Sequence, residues 1–133
     1  MSQQNERVLG QIAEAISRRD LRTLQAHSAN DIEYTARFTA MEGKTYRGKE
    51  GWAAYLADLA SAWQEFRLEI EQIDTVETDV LMASLRVTAL ARESGAPIDE
   101  RAFAVFEFRD GKTVFGSTYP YQLESLRAAG LGK

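Results

Sequence analysis

The chain has 133 residues, 44% of them hydrophobic and 27% charged, and a formal net charge of −4. This length and balance are typical of one folded domain with its own hydrophobic core, so we expect residues 1–133 to form a single domain. The sequence contains no cysteine, which excludes disulfides and cysteine nucleophiles and suits a cytoplasmic protein. It also contains no cluster of lysine and arginine and no long apolar run. We therefore expect neither nucleic acid nor a membrane as a partner.

Three helices are predicted in the first half of the chain. Apolar residues recur at helical spacing in residues 6–17, which predicts an amphipathic first helix. Asp20 is placed to cap a short second helix that runs through Leu24, because its carboxylate can accept from free backbone N–H groups. A third helix is expected from about Lys49, where an apolar stripe continues as far as Trp63.

Strands are predicted where apolar and polar residues alternate. The first covers residues 32–38, and a loop follows at residues 41–48. An antiparallel meander of four strands is expected at residues 66–73, 80–91, 100–109 and 113–121. Turns are expected between Asp74 and Asp79, at residues 92–97 and at Asp110-Gly111, and a short closing helix at residues 122–129. Helices followed by a long meander indicate an α+β fold.

The last hairpin has an inner face of small residues. It has Ala102 and Ala104 on one strand and Gly116 and Thr118 on the other. A core face usually has larger side chains, so this face leaves space inside the domain. That space predicts a ligand cavity.

The order of the elements and several short motifs resemble SnoaL-like proteins of the nuclear transport factor 2-like superfamily. The motifs are Tyr46-Arg47-Gly48-Lys49-Glu50-Gly51 at the third helix, Phe106-Glu107-Phe108-Arg109-Asp110-Gly111-Lys112 at the last hairpin, Tyr119 at its end, and Ala128-Ala129-Gly130-Leu131. The resemblance implies a cone-shaped, barrel-like fold in which three N-terminal helices cover a curved antiparallel sheet. Such proteins include ketosteroid isomerases, limonene epoxide hydrolases and polyketide cyclases, so the fold does not settle the function.

The catalytic groups of these relatives do not carry over to this chain. Ala36, Ile12 and Ala104 stand where the resemblance places the aspartate, tyrosine and second aspartate of ketosteroid isomerases. Thr88 in Arg86-Val87-Thr88 replaces the carboxylate of the Arg-x-Asp of epoxide hydrolases, and Ser117 to Pro120 offer no acid near the end of the last strand. The catalytic residues therefore stay unknown.

Seven residues are predicted to line the cavity and bind a ligand: Tyr34, Ala36, Tyr55, Trp63, Ala104, Phe106 and Thr118. Together they form an apolar and aromatic lining with a few hydroxyl groups. Such a lining suits a small hydrophobic or aromatic molecule held by one or two hydrogen bonds. Aromatic residues on a helical stripe also fill cores, so core packing is the alternative role for each of them.

The single histidine, His27, is expected at the solvated end of the second helix rather than in a catalytic role. One histidine without any cysteine does not supply a zinc or copper site. We therefore expect neither a metal nor another cofactor.

The outer face of the predicted meander mixes large apolar residues with charges of both signs. Its members include Met82, Arg86, Phe103, Val105, Glu107 and Phe115. A solvated sheet face would be mostly polar, so this composition predicts a protein interface. Members of the resembled family commonly dimerise through this face, and we expect a homodimer in which Arg86 or Arg101 meets Glu107.

Three functions agree with these observations. The first is a small-molecule-binding protein with an apolar cavity and no catalysis. The second is an enzyme of cyclase, isomerase or dehydratase type that acts on a small hydrophobic or polyketide-like substrate through tyrosine hydroxyls and bound water. The third is a dimeric interaction module in which helix side chains fill the space and no ligand binds.

Overall fold

The structure, a computed structural model, describes residues 2–37 and 43–119. Its helices are α1 (Ser2–Arg18), α2 (Leu21–Ala26) and α3 (Gly48–Ala62). Its strands are β1 (Ser28–Ala36), β2 (Lys44–Arg47), β3 (Trp63–Glu77), β4 (Val80–Ala91), β5 (Pro97–Arg109) and β6 (Lys112–Tyr119). The helices pack on a curved, unclosed sheet, which confirms the predicted α+β fold. The end of the predicted first strand at Phe38, the predicted closing helix at residues 122–129 and the Ala128-Ala129-Gly130-Leu131 motif lie outside the described residues.

The six strands lie in the order β2-β1-β6-β5-β4-β3. Strands β3 to β6 pair as the predicted antiparallel meander. Strand β1 pairs antiparallel with β2 but parallel with β6, which places Tyr34 opposite Gly116. The sequence pattern does not specify this parallel pair. It brings the first and last strands together, so residues distant in the chain share one interior face.

The predicted stripe of α1 faces the sheet and is buried, with Leu9, Ile12 and Ile16 each at most 2% exposed. Helix α2 begins as predicted, because Asp20 Oδ1 accepts from the Thr23 backbone N–H at 3.2 Å and Asp20 Oδ2 from the Thr23 hydroxyl at 2.7 Å. These hydrogen bonds, chiefly the one from the Thr23 hydroxyl, lower the pKa of Asp20 below its usual value. His27 ends α2 as its C-cap and is partly exposed.

Two predictions about loops and turns are wrong. Residues 44–47 of the predicted loop form β2, because pairing with β1 supplies the backbone hydrogen bonds of this short strand. Asp74, predicted in a turn, lies within β3 opposite Met82, and the turn falls at residues 78–79.

The prediction that Trp63 lies on the third helix is also wrong. Helix α3 ends at Ala62, and Trp63 is extended, with φ −125° and ψ 129°. It begins β3 by pairing with Ala91 on β4. No glycine or proline marks this boundary in the sequence. Strand pairing, a tertiary interaction, therefore ends the helix.

The predicted hairpin at Asp110-Gly111 is confirmed. Both residues have positive φ, 55° for Asp110 and 76° for Gly111. Two consecutive positive φ values are the signature of the tight turn that joins twisted antiparallel strands. The turn sets the pairing at the end of the hairpin, and a one-residue bulge between Glu107 and Phe108 shifts the register beyond it. With this shift, Ala104 lies opposite Thr118 and Phe106 opposite Gly116.

Candidate functional site

The interior between the helices and the sheet gathers most of the predicted site residues. Six of the seven are buried and at most 3% exposed: Tyr34, Ala36, Tyr55, Ala104, Phe106 and Thr118. They come from β1, α3, β5 and β6, which the parallel β1–β6 pair places around the same space. Trp63 is only half-buried and packs on Phe66, with 6.0 Å between ring centroids. Its position at the start of β3 separates it from the group.

An aromatic cluster fills this interior; its members are Tyr34, Tyr46, Trp52, Tyr55 and Phe106. Tyr34 lies at the centre, with ring centroids 4.8 Å from Trp52, 4.9 Å from Tyr55 and 6.0 Å from Phe106. Tyr46 packs edge-on against Tyr55 at 5.4 Å. Trp52 is further fixed by its indole N–H, which donates to Ser28 Oγ at 2.7 Å. These contacts make the cluster part of the hydrophobic core.

Tyr34 and Tyr55 bring two phenol hydroxyls together inside the core. Their oxygens lie 3.4 Å apart, and the Tyr34 hydroxyl donates to Tyr55 Oη. This distance is long for a hydrogen bond, since the two oxygens of an O–H···O bond are usually about 2.7–2.8 Å apart. The Tyr55 hydroxyl is therefore only weakly satisfied.

Burial keeps both phenols neutral. It raises the pKa of Tyr34 to about 12, although hydrogen bonds with Tyr55 and Thr118 partly offset the effect. It also raises the pKa of Tyr55 well above its usual value, with Tyr34 adding to the shift. Both groups are thus hydrogen-bond donors at neutral pH.

A small void lies between Tyr34 of this pair and α1. Its volume is about 10 Å³, and its lining includes Ile12 and Ile16 of α1, Leu68 and Ile70 of β3, Tyr34, Ala104 and Thr118. A space of this size holds about one water molecule. The small residues that predicted a cavity therefore border a nearly filled interior.

Gly116 shows how the space is filled. A Cβ at this position would lie 2.5 Å from Phe106 Cε2 and 2.9 Å from Phe106 Cδ2. The ring of Phe106 thus lies directly over the backbone of β6. At this position the glycine accommodates an aromatic ring of the protein itself.

The three positions that the resemblance marks as catalytic are apolar and buried. Ile12 and Ala104 line the void, and Ala36 is 1% exposed beside it on β1. No aspartate, glutamate or histidine is buried among residues 2–37 and 43–119. Arg86 lies on the outer face and pairs with Asp99 through two hydrogen bonds of 2.9 and 2.6 Å. The described interior therefore offers phenol and threonine hydroxyls but no carboxylate base.

Sequence reasoning missed a polar group that adjoins the aromatic cluster. The Tyr46 hydroxyl donates to Asp58 Oδ2 at 2.6 Å, and Lys44 Nζ donates to the same oxygen at 2.8 Å. Both bonds lower the pKa of the Asp58 carboxyl, that from Lys44 more strongly. The alternation of Lys44, Thr45, Tyr46 and Arg47 was the available signal for a strand here, but four residues are too few to distinguish one from a loop.

The outer face is less available than the sequence suggests. Met82 and Val105 are already buried within the single chain, at 6% and 3% exposure, and pack with Tyr119. Phe103 and Phe115 are half-buried, whereas Arg86 and Glu107 are exposed. Arg101 lies 3.5 Å from Glu71 of its own chain. An interface on this face would rest on its phenylalanines and exposed charges.

Among residues 2–37 and 43–119, no group of three or more histidine, aspartate or glutamate side chains is arranged to hold a metal ion. Within the same ranges, no helix has both the length and the apolar character needed to cross a membrane.

The comparisons with known proteins agree with the fold. The family model of the SnoaL-like domain matches residues 9–115. An NTF2-like protein of unknown function from Burkholderia pseudomallei superimposes with a TM-score of 0.78 at 20% identity, covering 93% of this chain and 95% of that one. No protein of curated function matches the chain.

Two further structures belong to proteins proposed to be polyketide cyclases. The SnoaL-like protein of Jannaschia sp. CCS1 gives a TM-score of 0.75 at 15% identity, with 98% of this chain and 94% of that chain covered. IdmH from Streptomyces antibioticus gives 0.73 at 18% identity, with 96% and 99% covered. These similarities match the cone-shaped NTF2-like fold, and the matched family model shows that the chain belongs to the SnoaL-like domain family.

Proposed function

We propose that this protein binds a small, neutral, hydrophobic molecule with a hydrogen-bond-accepting oxygen, in its interior beside Tyr34, Tyr55 and Thr118. The surrounding side chains would have to move apart to admit it, because the void of about 10 Å³ holds only about one water molecule. The observation that carries the proposal is the buried phenol pair. Two phenols share one hydrogen bond of 3.4 Å, and the described part of the chain gives Tyr55 Oη no other partner. A ligand oxygen placed to one side of the pair, about 2.8 Å from each hydroxyl, would accept better hydrogen bonds than the phenols offer each other.

The electrostatics of the interior favour a neutral ligand. The described interior has no buried charged side chain, and an unpaired charge in an apolar site is strongly unfavourable. Both phenols stay protonated at neutral pH because burial raises their pKa values. A ketone, quinone or ester oxygen matches two neutral donors, whereas an ammonium group does not.

The fold neighbours support a similar class of molecule. Two of them are proteins proposed to be polyketide cyclases, and polyketides are rich in carbonyl groups. Their identities of 15% and 18% carry the fold alone. The proposal of a carbonyl-containing ligand therefore rests mainly on the phenol pair.

Binding is favoured over catalysis by what the described interior contains. Two phenol donors can polarise a carbonyl, but no buried carboxylate or imidazole is present there to remove a proton. The alternative is an enzyme of cyclase, isomerase or dehydratase type that works through these hydroxyls and bound water. Loss of turnover in the Tyr34→Phe and Tyr55→Phe variants would support it.

The experiment compares two probes of nearly equal size, acetophenone and ethylbenzene, which differ in one carbonyl oxygen. Binding is followed by NMR shifts of the methyl groups around the void, including those of Ile12 and Leu85. We expect acetophenone to bind about 2- to 10-fold more tightly, the usual effect of one neutral hydrogen bond.

The preference should disappear in the Tyr34→Phe/Tyr55→Phe double variant. Tyr119→Phe serves as the matched control, because Tyr119 packs with Met82 and Val105 on the outer face. The proposal fails if neither probe shifts interior methyl groups at millimolar concentration, or if the double variant retains the preference.

A second candidate is a dimeric interaction module without a ligand. The close packing of Phe106 over Gly116 favours it, because side chains of the protein fill the space that the small residues leave. In that case the outer face, with Phe103, Phe115, Arg86 and Glu107, would form the functional surface. Neither probe would then bind inside.

A further inference from the structure

A groove runs along one side of the molecule between α1 and the edge strand β3. Its volume is about 540 Å³. On α1 it is lined by Gly10, Ala13 and Ser17, and on β3 by Leu68 and Ile70. Charged side chains stand at its rim, so the groove is polar outside and apolar at its floor.

The floor of this α1–β3 groove is also a wall of the interior void. Ala13, Leu68 and Ile70 line both spaces. Leu68 and Ile70 are only half-buried, unlike Tyr34 and Ala104 on the far side of the void. One layer of side chains therefore separates the groove from the space beside the phenol pair.

Ser17 ties the two sides of the groove together. Its Oγ accepts from the Leu68 backbone N–H at 2.9 Å and lies 3.3 Å from the Leu68 carbonyl oxygen. The Ala13 carbonyl is a second acceptor for the same hydroxyl, at 3.0 Å. Because β3 is the last of the described strands in the sheet order, these backbone groups of Leu68 have no further strand among residues 2–37 and 43–119 to pair with. The serine takes the place of that strand.

Helix α1 also contains a point of low rigidity beside the groove. Gly10 lies within the helix, and a Cβ built there would meet nothing within 4 Å. Glycine inside a helix lowers its stability relative to alanine, and here no close approach of another group requires it. Helix α1 can therefore bend at Gly10, about one turn before Ala13, more easily than an uninterrupted helix would.

We propose that small molecules reach the interior through the α1–β3 groove and that the Ser17–Leu68 hydrogen bonds hold this passage closed. The inference rests on the proposed function, because it supplies the route to the same site. Separation of α1 from β3 would move Ala13 away from Leu68 and Ile70 and join the groove to the void. Ser17 acts on the passage and not on the ligand, so it is a positioning residue.

The test measures the exchange kinetics of acetophenone by NMR in wild type and in Ser17→Ala. A closing contact present in both free and bound protein should affect association and dissociation equally. We therefore expect both rates to rise about 3- to 10-fold in Ser17→Ala, while Kd stays unchanged. Ser17→Thr keeps the hydroxyl and should retain wild-type rates, and Ser61→Ala changes an exposed serine as the matched control.

Gly10→Ala provides the opposite perturbation, because it stiffens α1 without a clash. Both rates should fall in this variant, again at constant Kd. The inference is refuted if acetophenone binds but Ser17→Ala leaves both rates unchanged, or if only Kd changes. If acetophenone does not bind the wild-type protein at all, the proposed function is refuted, and the proposed passage is refuted with it.

Discussion

The substitution Gly116→Ala tests the packing of the interior most directly. The new Cβ would lie 2.5 Å from Phe106 Cε2, whereas two carbon atoms in contact are usually separated by about 3.5–4.0 Å. The Phe106 ring would therefore have to move by about 1 Å. Phe106 is 3% exposed and stacks on Tyr34, which in turn packs against Trp52 and Tyr55. The Phe106 ring therefore has little free space into which it can move.

We expect Gly116→Ala to lower the free energy of unfolding by about 2–3 kcal/mol, the upper part of the usual range for an overfilled core. This is a large share of the roughly 5–15 kcal/mol of stability of a typical domain. Gly116 has no positive φ, so the loss would come from the clash and not from backbone strain. The measurement is the urea midpoint and slope of each variant.

A double-mutant cycle isolates the contact. Phe106→Leu should cost on the order of 1 kcal/mol alone, but it should relieve Gly116→Ala, so that the double variant is more stable than the sum of the two single effects predicts. Gly10→Ala is the control, because its Cβ meets nothing within 4 Å, and it should be neutral or stabilise by about 0.5–1 kcal/mol. A loss below about 0.5 kcal/mol for Gly116→Ala, or additive effects with Phe106→Leu, would refute this account of the packing.

Two further predictions concern alkaline stability and assembly. Burial raises the pKa values of Tyr34 and Tyr55 in the folded state above about 10, the usual value in an unfolded chain. Their contribution to the free energy of unfolding is therefore complete below pH 10 and is lost as pH rises toward about 12. The expected loss is roughly 1.4 kcal/mol per pH unit for each phenol. Urea midpoints measured across this range should fall less steeply in Tyr34→Phe/Tyr55→Phe, and equal slopes would contradict the burial of the phenols. For assembly, we expect a dimer in light scattering at micromolar concentration and a monomer for Phe103→Glu, with Ser61→Glu as a control for added charge; a monomeric wild type would exclude the proposed interface.

Long periodic segments were predicted well because their pattern is local. The strand predicted at residues 80–91 is β4 with the same bounds, and the apolar stripe of α1 is buried as expected. The Asp110-Gly111 turn also follows from local chemistry, since both residues accept positive φ. Six of the seven predicted site residues are gathered in one interior. Parity along each strand identifies the inward face for five of them, and the apolar stripe of α3 does so for Tyr55.

The errors occur where partners distant in the chain decide the local structure. Strand β2 exists because β1 pairs with it, and α3 ends at Ala62 because Trp63 pairs with Ala91. The exclusion of Trp63 from the aromatic cluster follows from that ending. The end of α3 has no glycine or proline that would mark it in the sequence, and the glycines that flank β2, Gly43 and Gly48, are equally typical of a loop.

The sequence by itself determined the types of the long elements, their inward faces and the absence of a carboxylate from positions 36 and 104, where the resemblance expects one. Only the tertiary structure decided what occupies the space beside the small residues. Gly116 and Ala104 are small residues on the inner faces of their strands, so the sequence predicts space beside them. In the structure Phe106 covers Gly116, and a void of about 10 Å³ remains beside Ala104. A periodic pattern identifies which residues face inward, whereas the volume left between them depends on how side chains from several distant elements pack together.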